Sequence, residues 1–131
     1  MSGLRALVCD DDTPFRTIVR ELLEQRGVEV IEAADGHEAL AVFMKQAIDL
    51  VVTDFLMPKL DGMQVIRDIR MTGERGRIPI VLMSAISRGN IVGKEELGPD
   101  YYMSKPFKPK KMARLLDRIL DNIAQASSKS G

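Results

Sequence analysis

Three short stretches of this chain, residues 4–9, 50–53 and 80–83, are apolar along most or all of their length. Each is too short for a buried helix and lacks the polar alternation of a half-exposed strand. They read as central strands of a parallel sheet covered on both faces. Between them lie segments of a different period. Phe15, Ile18, Val19, Leu22 and Leu23 recur at helical spacing, and so do Met112, Leu115, Leu116, Ile119, Leu120 and Ile123. Strand runs separated by helical crossovers demand parallel pairing and right-handed connections, which wind helices onto both faces of one sheet. That alternation fixes the class as α/β.

The remaining elements complete the pattern. Thr13 and Pro14 read as N-cap and first residue of the first helix, and Gly27 ends it. Residues 28–32 alternate as an edge strand does. Asp35-Gly36 turns the chain into a second helix carrying Ala39, Leu40, Phe43, Met44 and Ala47. A third helix starts near Gly62 and uses Met63, Ile66 and Ile69. A short helix is expected within residues 87–99, where Gly89, Gly93 and Gly98 weaken it. Residues 100–104 form a last strand, Pro109 opens the last helix, and 126–131 read as a disordered polar tail. With 131 residues and no linker or repeat, the chain is one domain spanning 1–125.

Strands of such a sheet end at one edge, and that edge is where ligands bind. The first strand delivers Asp10 and Asp11 there, the third Asp54, the fourth Ser84, and the fifth Lys105 before Pro106. Met57-Pro58 and Asp61-Gly62 turn the chain after Asp54, with glycine read as supplying turn conformations. Clustered carboxylates repel one another, and a divalent cation relieves that repulsion; hard oxygens in an open cage favour Mg²⁺. An ammonium group and a hydroxyl complete the parts needed to move a phosphoryl group onto a carboxylate. No glycine-rich phosphate loop, zinc-ligand spacing or nucleophile triad is present, and His37 reads as a helix-start surface residue.

Nineteen basic and nineteen acidic residues give no electrostatic case for direct nucleic-acid or membrane binding. The lone Cys9 excludes an internal disulfide and fits a cytoplasmic setting, as does the absence of a secretory apolar segment or a spanning run.

Taken in order, Val8-Cys9-Asp10-Asp11-Asp12, Asp54 through Gly62, Met83-Ser84-Ala85 and Asp100 through Phe107 resemble the receiver domains of bacterial two-component response regulators, of the chemotaxis-regulator kind. The resemblance covers residues 4–124. It implies a flavodoxin-like sheet of five parallel strands, ordered 2-1-3-4-5, with five helices. It implies that Asp54 accepts a phosphoryl group from a sensor histidine kinase or a histidine phosphotransfer protein, in signal transduction or a phosphorelay. Asp11, Asp54 and the backbone carbonyl of Leu56 would hold Mg²⁺, with Asp10 acting through water. Lys105 would bind a phosphoryl oxygen, its bond to Pro106 being cis, and Ser84 and Tyr102 would form the switch. Such a domain is not an enzyme acting on a separate substrate; it catalyses its own phosphoryl transfer and slow self-dephosphorylation.

Nothing after Gln125 is long enough to fold as an output domain. Output would then pass to a partner protein or to a fused domain outside this sequence, and the resemblance admits a phosphorylation-dependent dimer. Tyr101, Pro99 and the glycines of 88–98 depart from the family pattern, which bears on the output surface and leaves the acceptor site intact. Lys108, Lys110, Lys111, Arg114 and Arg118 read as a solvated helix face. Two alternatives stand beside this reading. One is an aspartyl phosphatase of the haloacid dehalogenase type, which would want an Asp where Leu56 stands. The other is a pseudo-receiver that binds partners without phosphorylation.

Overall fold

The computed structural model describes residues 3–86 and 97–130. Five strands form one sheet: β1 (Arg5–Cys9), β2 (Glu29–Ala33), β3 (Leu50–Asp54), β4 (Ile80–Ser84) and β5 (Tyr101–Ser104), in the order β2-β1-β3-β4-β5 and parallel throughout. The helices described are α1 (Thr13–Gln25), α2 (Gly36–Lys45), α3 (Gly62–Arg70) and α4 (Pro109–Ser130), with a 3-10 turn at Gly73–Gly76. This is the doubly wound sheet the alternation predicts. The expected helix within 87–99 falls largely outside the described residues.

The two-residue period of each strand divides the core in two. Ala6, Val8, Val52, Val81 and Met83 face α1 and α4, where Val19, Leu23, Met112, Leu116 and Ile119 cover them. Leu7, Cys9, Val51, Ile80 and Leu82 face α2 and α3, where Phe43, Val65, Ile66 and Ile69 cover them. All of these are buried, and full burial of a large aliphatic or aromatic side chain is worth about 1.5–3 kcal/mol. Rows Ala6-Val8 and Leu50-Val52 pair directly across β1 and β3. The next positions in those two rows are Asp10 and Asp54.

Local chemistry sets the helix ends. Gly27, with φ 78°, closes α1; its N–H donates to the Glu24 carbonyl and the Val28 N–H to the Leu23 carbonyl, so the last turn has its acceptors filled. At the start of α1 the expected cap moves by one residue. Asp12 is the N-cap and makes no side-chain cap bond, while Thr13 already lies within the helix. Asp35 and Asp61 do cap α2 and α3, accepting from the Glu38 and Gln64 N–H groups at 2.8 and 2.9 Å.

The glycines after those two caps serve a purpose other than turn geometry. Neither has a positive φ. A Cβ on Gly62 would lie 2.1 Å from the Asp54 carbonyl oxygen, and one on Gly36 would lie 2.4 Å from the Leu60 carbonyl oxygen. Both are there because backbone meets backbone. Lys59 is the residue that takes the left-handed conformation, with φ 71°, and its ammonium pairs with Asp35 at 3.5 Å. The loop after β3 is thereby pressed onto the start of α2.

Two further expectations change. Met44 is exposed because the buried stripe of α2 runs through Ala39 and Phe43, and Ala47 is exposed because α2 ends at Lys45. The tail expected from residue 126 is helical as far as Ser130, since Ala126 to Ser130 contains no glycine or proline to break α4. Among the described residues, no helix is long and apolar enough to cross a membrane.

Candidate functional site

Asp10 follows β1, Asp54 ends β3, Ser84 ends β4 and Lys105 follows β5, so the sheet brings all four to one edge. Carboxylate oxygens of Asp10, Asp11 and Asp54 lie within 4.8 Å of one another. Asp10 is fully buried, Asp54 is 7% exposed, and Asp11 is open to solvent.

Asp10 is fixed from several directions. Its N–H donates to the Ala33 carbonyl at 3.1 Å, and its Oδ1 accepts from the Asp12 N–H at 2.9 Å. Arg16 donates to the Asp10 carbonyl at 2.6 Å while its Nε pairs with Glu32 at 3.0 Å. Oδ2 of Asp10 is buried against the Lys105 ammonium, 2.8 Å away. The same ammonium is 3.3 Å from Asp54 Oδ1 and 4.6 Å above the Phe15 ring centre.

These placements perturb the ionisable groups. Burial, reinforced by repulsion from Asp10, pushes the Asp54 carboxyl up to about 6, with Lys105 opposing the rise only in part. Burial alone would lower Lys105, but its bonds and charge attraction to Asp10 and Asp54 outweigh that and raise it. Burial also pushes the neighbouring Cys9 thiol up to about 12, so it is inert as a nucleophile near neutral pH. Its sulfur rests 3.1 Å from Met57 Sδ and helps to seat the loop after β3.

A cavity of about 300 Å³ opens beside Asp54, lined among others by Phe15, Leu56, Ser84 and Lys105. Ser84 accepts from the Ile86 N–H at 2.9 Å, and Leu56 is 60% exposed at the mouth. The Lys105–Pro106 peptide is cis, as expected. Tyr102 is the exception among the expected site residues. It is half-buried and packs against the α2/α3 side of the core, away from the cavity lining.

Two contributors were not legible as site residues. Phe15 counts in sequence as the first member of an apolar stripe, and Arg16 as an ordinary helix charge. The available signal is position: both lie in the first turn and a half after Asp10-Asp11-Asp12, on the same sheet edge. The donor set fits a hard divalent cation. Three carboxylates converge, two of them buried, and the Lys105 ammonium offsets only part of their charge.

A parallel sheet whose strand ends gather an acidic cluster, a hydroxyl and a lysine around one aspartate defines a receiver-type domain. The family model described as "Response regulator receiver domain" matches residues 6–117, and the chain belongs to that family, the receivers of two-component systems. The chain is 39% identical, over 98% of its length, to a probable transcriptional regulator, ycf27, of Porphyridium aerugineum, of which the match covers 52%. It spans about half the length of the curated relatives it matches. The structure of the chemotaxis response regulator CheY4 of Vibrio cholerae is similar, with TM-score 0.81 and 30% identity, covering 88% of this chain and 98% of that one. The receiver domain of the sensor histidine kinase PA1611 of Pseudomonas aeruginosa, solved with a magnesium ion in its active-site cleft, has TM-score 0.78 and 29% identity, covering 91% of this chain and 98% of that one.

Proposed function

We propose that Asp54 is the phosphoryl acceptor of this receiver and that the donor is a phosphohistidine on a kinase or phosphotransfer protein. The observation that carries the reading is the environment of Asp54. A buried carboxylate at a strand end, 3.3 Å from an ammonium group and inside an acidic cluster, faces a cavity large enough for a phosphoryl group. One Asp54 oxygen attacks phosphorus as the bond from phosphorus to the histidine nitrogen breaks, and the electron pair leaves on the imidazole. No redox change occurs. Raised toward 6, Asp54 is still ionised at neutral pH and is more basic than an exposed aspartate, which suits a nucleophile.

Asp10, Asp11, Asp54 and the Leu56 carbonyl would hold Mg²⁺, which would neutralise charge on the transferring group. Lys105 supplies a point charge for a phosphoryl oxygen, and its two carboxylate contacts keep it beside Asp54 until that oxygen arrives. Ser84 lines the cavity and offers its hydroxyl to the phosphorylated side chain, and Tyr102 responds on the neighbouring strand. The response reaches a partner protein or a fused output domain. The chain turns over no separate substrate.

Intact-mass measurement after incubation with acetyl phosphate and Mg²⁺ tests this. Wild type gains one phosphate and Asp54→Ala gains none. A stoichiometric adduct on the Ala variant refutes the acceptor, and a wild type that stays unlabelled favours the pseudo-receiver.

A further inference from the structure

We propose that Phe15 is a positioning residue for phosphoryl transfer: its ring face carries the Lys105 ammonium and lets it pivot from the carboxylates to the incoming phosphoryl oxygen. The inference rests on Asp54 being the acceptor. Lys105 Nζ sits 4.6 Å above the Phe15 ring centre while it contacts Asp10 at 2.8 Å and Asp54 at 3.3 Å. A cation over an aromatic face is held by the ring quadrupole. Unlike a hydrogen bond to a carboxylate, that attraction does not fix the direction of any N–H. The two carboxylates are therefore the contacts that must loosen on reaction, and the ring is the one that can persist through the change.

The ring itself is held in place. Phe107, at the start of the segment after Lys105 and Pro106, meets it with ring centres 5.1 Å apart and a 56° tilt. Phe15 also packs against the α1/α4 core and lines the cavity beside Asp54. Lysine has a long flexible stem and a compact charge. Without a surface under it, the ammonium is tied only to the carboxylates. An aliphatic side chain at position 15 would fill the space and offer no such attraction.

The test is a series of proteins spanning residues 1–131 in which Phe15 is replaced by mono-, di- and trifluorinated phenylalanine, together with Phe15→Leu and Phe15→Tyr. Fluorine drains the ring's negative face and changes its shape little, so packing is preserved. Rates of phosphorylation by acetyl phosphate with Mg²⁺ are read by intact mass across donor concentrations, beside melting temperature and the ring-current shift of the Lys105 ε-methylene protons. The expected result is a stepwise fall in the maximal rate, reaching roughly 3- to 10-fold with trifluorination, with at most a few degrees' fall in melting temperature because the resting protein holds the same contact. Phe15→Tyr should stay close to wild type, and the upfield shift of the ε-methylene should confirm the perch. Equal rates across the fluorinated series, with wild type labelling normally, overturn the role of Phe15 alone. A wild type that takes up no phosphoryl group overturns the acceptor reading and this inference with it. Should Phe15→Leu fail to fold, the fluorinated series still decides.

Discussion

Replacing Asp54 with Asn removes a charge that folding forces into an already acidic cluster. Burial and the neighbouring Asp10 raise its carboxyl from the usual 3.8 to about 6. The folded protein therefore holds this proton more tightly than the unfolded chain, and the unfolded chain binds fewer protons over that interval. Stability from this group is fully present below pH 3.8, is lost as pH rises through about 6, and stays flat above. The complete loss is worth about 3 kcal/mol. An amide is an imperfect substitute for a protonated carboxyl beside the Lys105 ammonium, so Asp54→Asn should recover about 1–2 kcal/mol in EDTA near pH 7.5. That corresponds to roughly 3–8 °C in melting temperature for a domain of this size. The assay is thermal and urea unfolding of both proteins from about pH 4 to 8, with and without Mg²⁺. The curves should converge toward pH 4, and Mg²⁺ should raise the wild type more than the variant. An Asn variant no more stable than wild type near pH 7.5, or an advantage equally large near pH 4, refutes the reasoning.

Other perturbations have expected outcomes of similar sharpness. Asp11→Ala should weaken Mg²⁺ binding and slow phosphorylation at little cost to stability, because Asp11 is exposed; calorimetric titration with Mg²⁺ checks it. Gly62→Ala should destabilise by more than about 2 kcal/mol and impair phosphorylation together, since the added methyl meets the Asp54 backbone at 2.1 Å; urea unfolding and acetyl phosphate labelling read the two effects. Arg70 donates to the carbonyls of Gly76, Ile78 and Gly98 and pairs with Asp100 at 2.8 Å, a fork that lysine cannot reproduce. Arg70→Lys should therefore cost about 2–4 kcal/mol in urea unfolding. Leu56 and Ile86 lie two residues after Asp54 and Ser84, positions that in the receiver family flank the path of water to the phosphoryl group. Both are apolar and cannot orient that water, so the phospho-form should decay faster in the Leu56→Asn, Ile86→Glu double variant, as followed by intact mass over time.

The strands and the acceptor edge were readable because few residue types satisfy them. A continuous apolar run ending in Asp54 has one natural place in a parallel sheet, and Lys105 before Pro106 at the end of β5 has one natural partner set. What escaped the sequence was contact between segments far apart in the chain. Phe15 serves α1 as a core residue and Lys105 as a ring, and only the second role depends on a residue ninety positions later. Gly62 reads as a turn glycine, whereas its reason is the Asp54 carbonyl behind it. Arg70 ends α3, and nothing in its local sequence marks its acceptors, which lie in the connection to β4 and in the segment before β5. The last helix runs past residue 125 because polar composition alone does not end a helix that meets no glycine or proline.

The rows that run Ala6-Val8-Asp10 and Leu50-Val52-Asp54 carry a consequence for how this protein can fail. Val8 and Val52 are partners across β1 and β3, so the pairing that builds the α1/α4 core also delivers both carboxylates to one side. A slip of one residue between these strands would send a valine row to the opposite face and carry one aspartate with it. Hydrophobic pairing thus proofreads the site. A chain that has buried the right valines has assembled the acidic cluster, and a misregistered one loses both at once. Activity in this fold serves as a fidelity check on strand alignment, set by apolar residues that never touch a substrate.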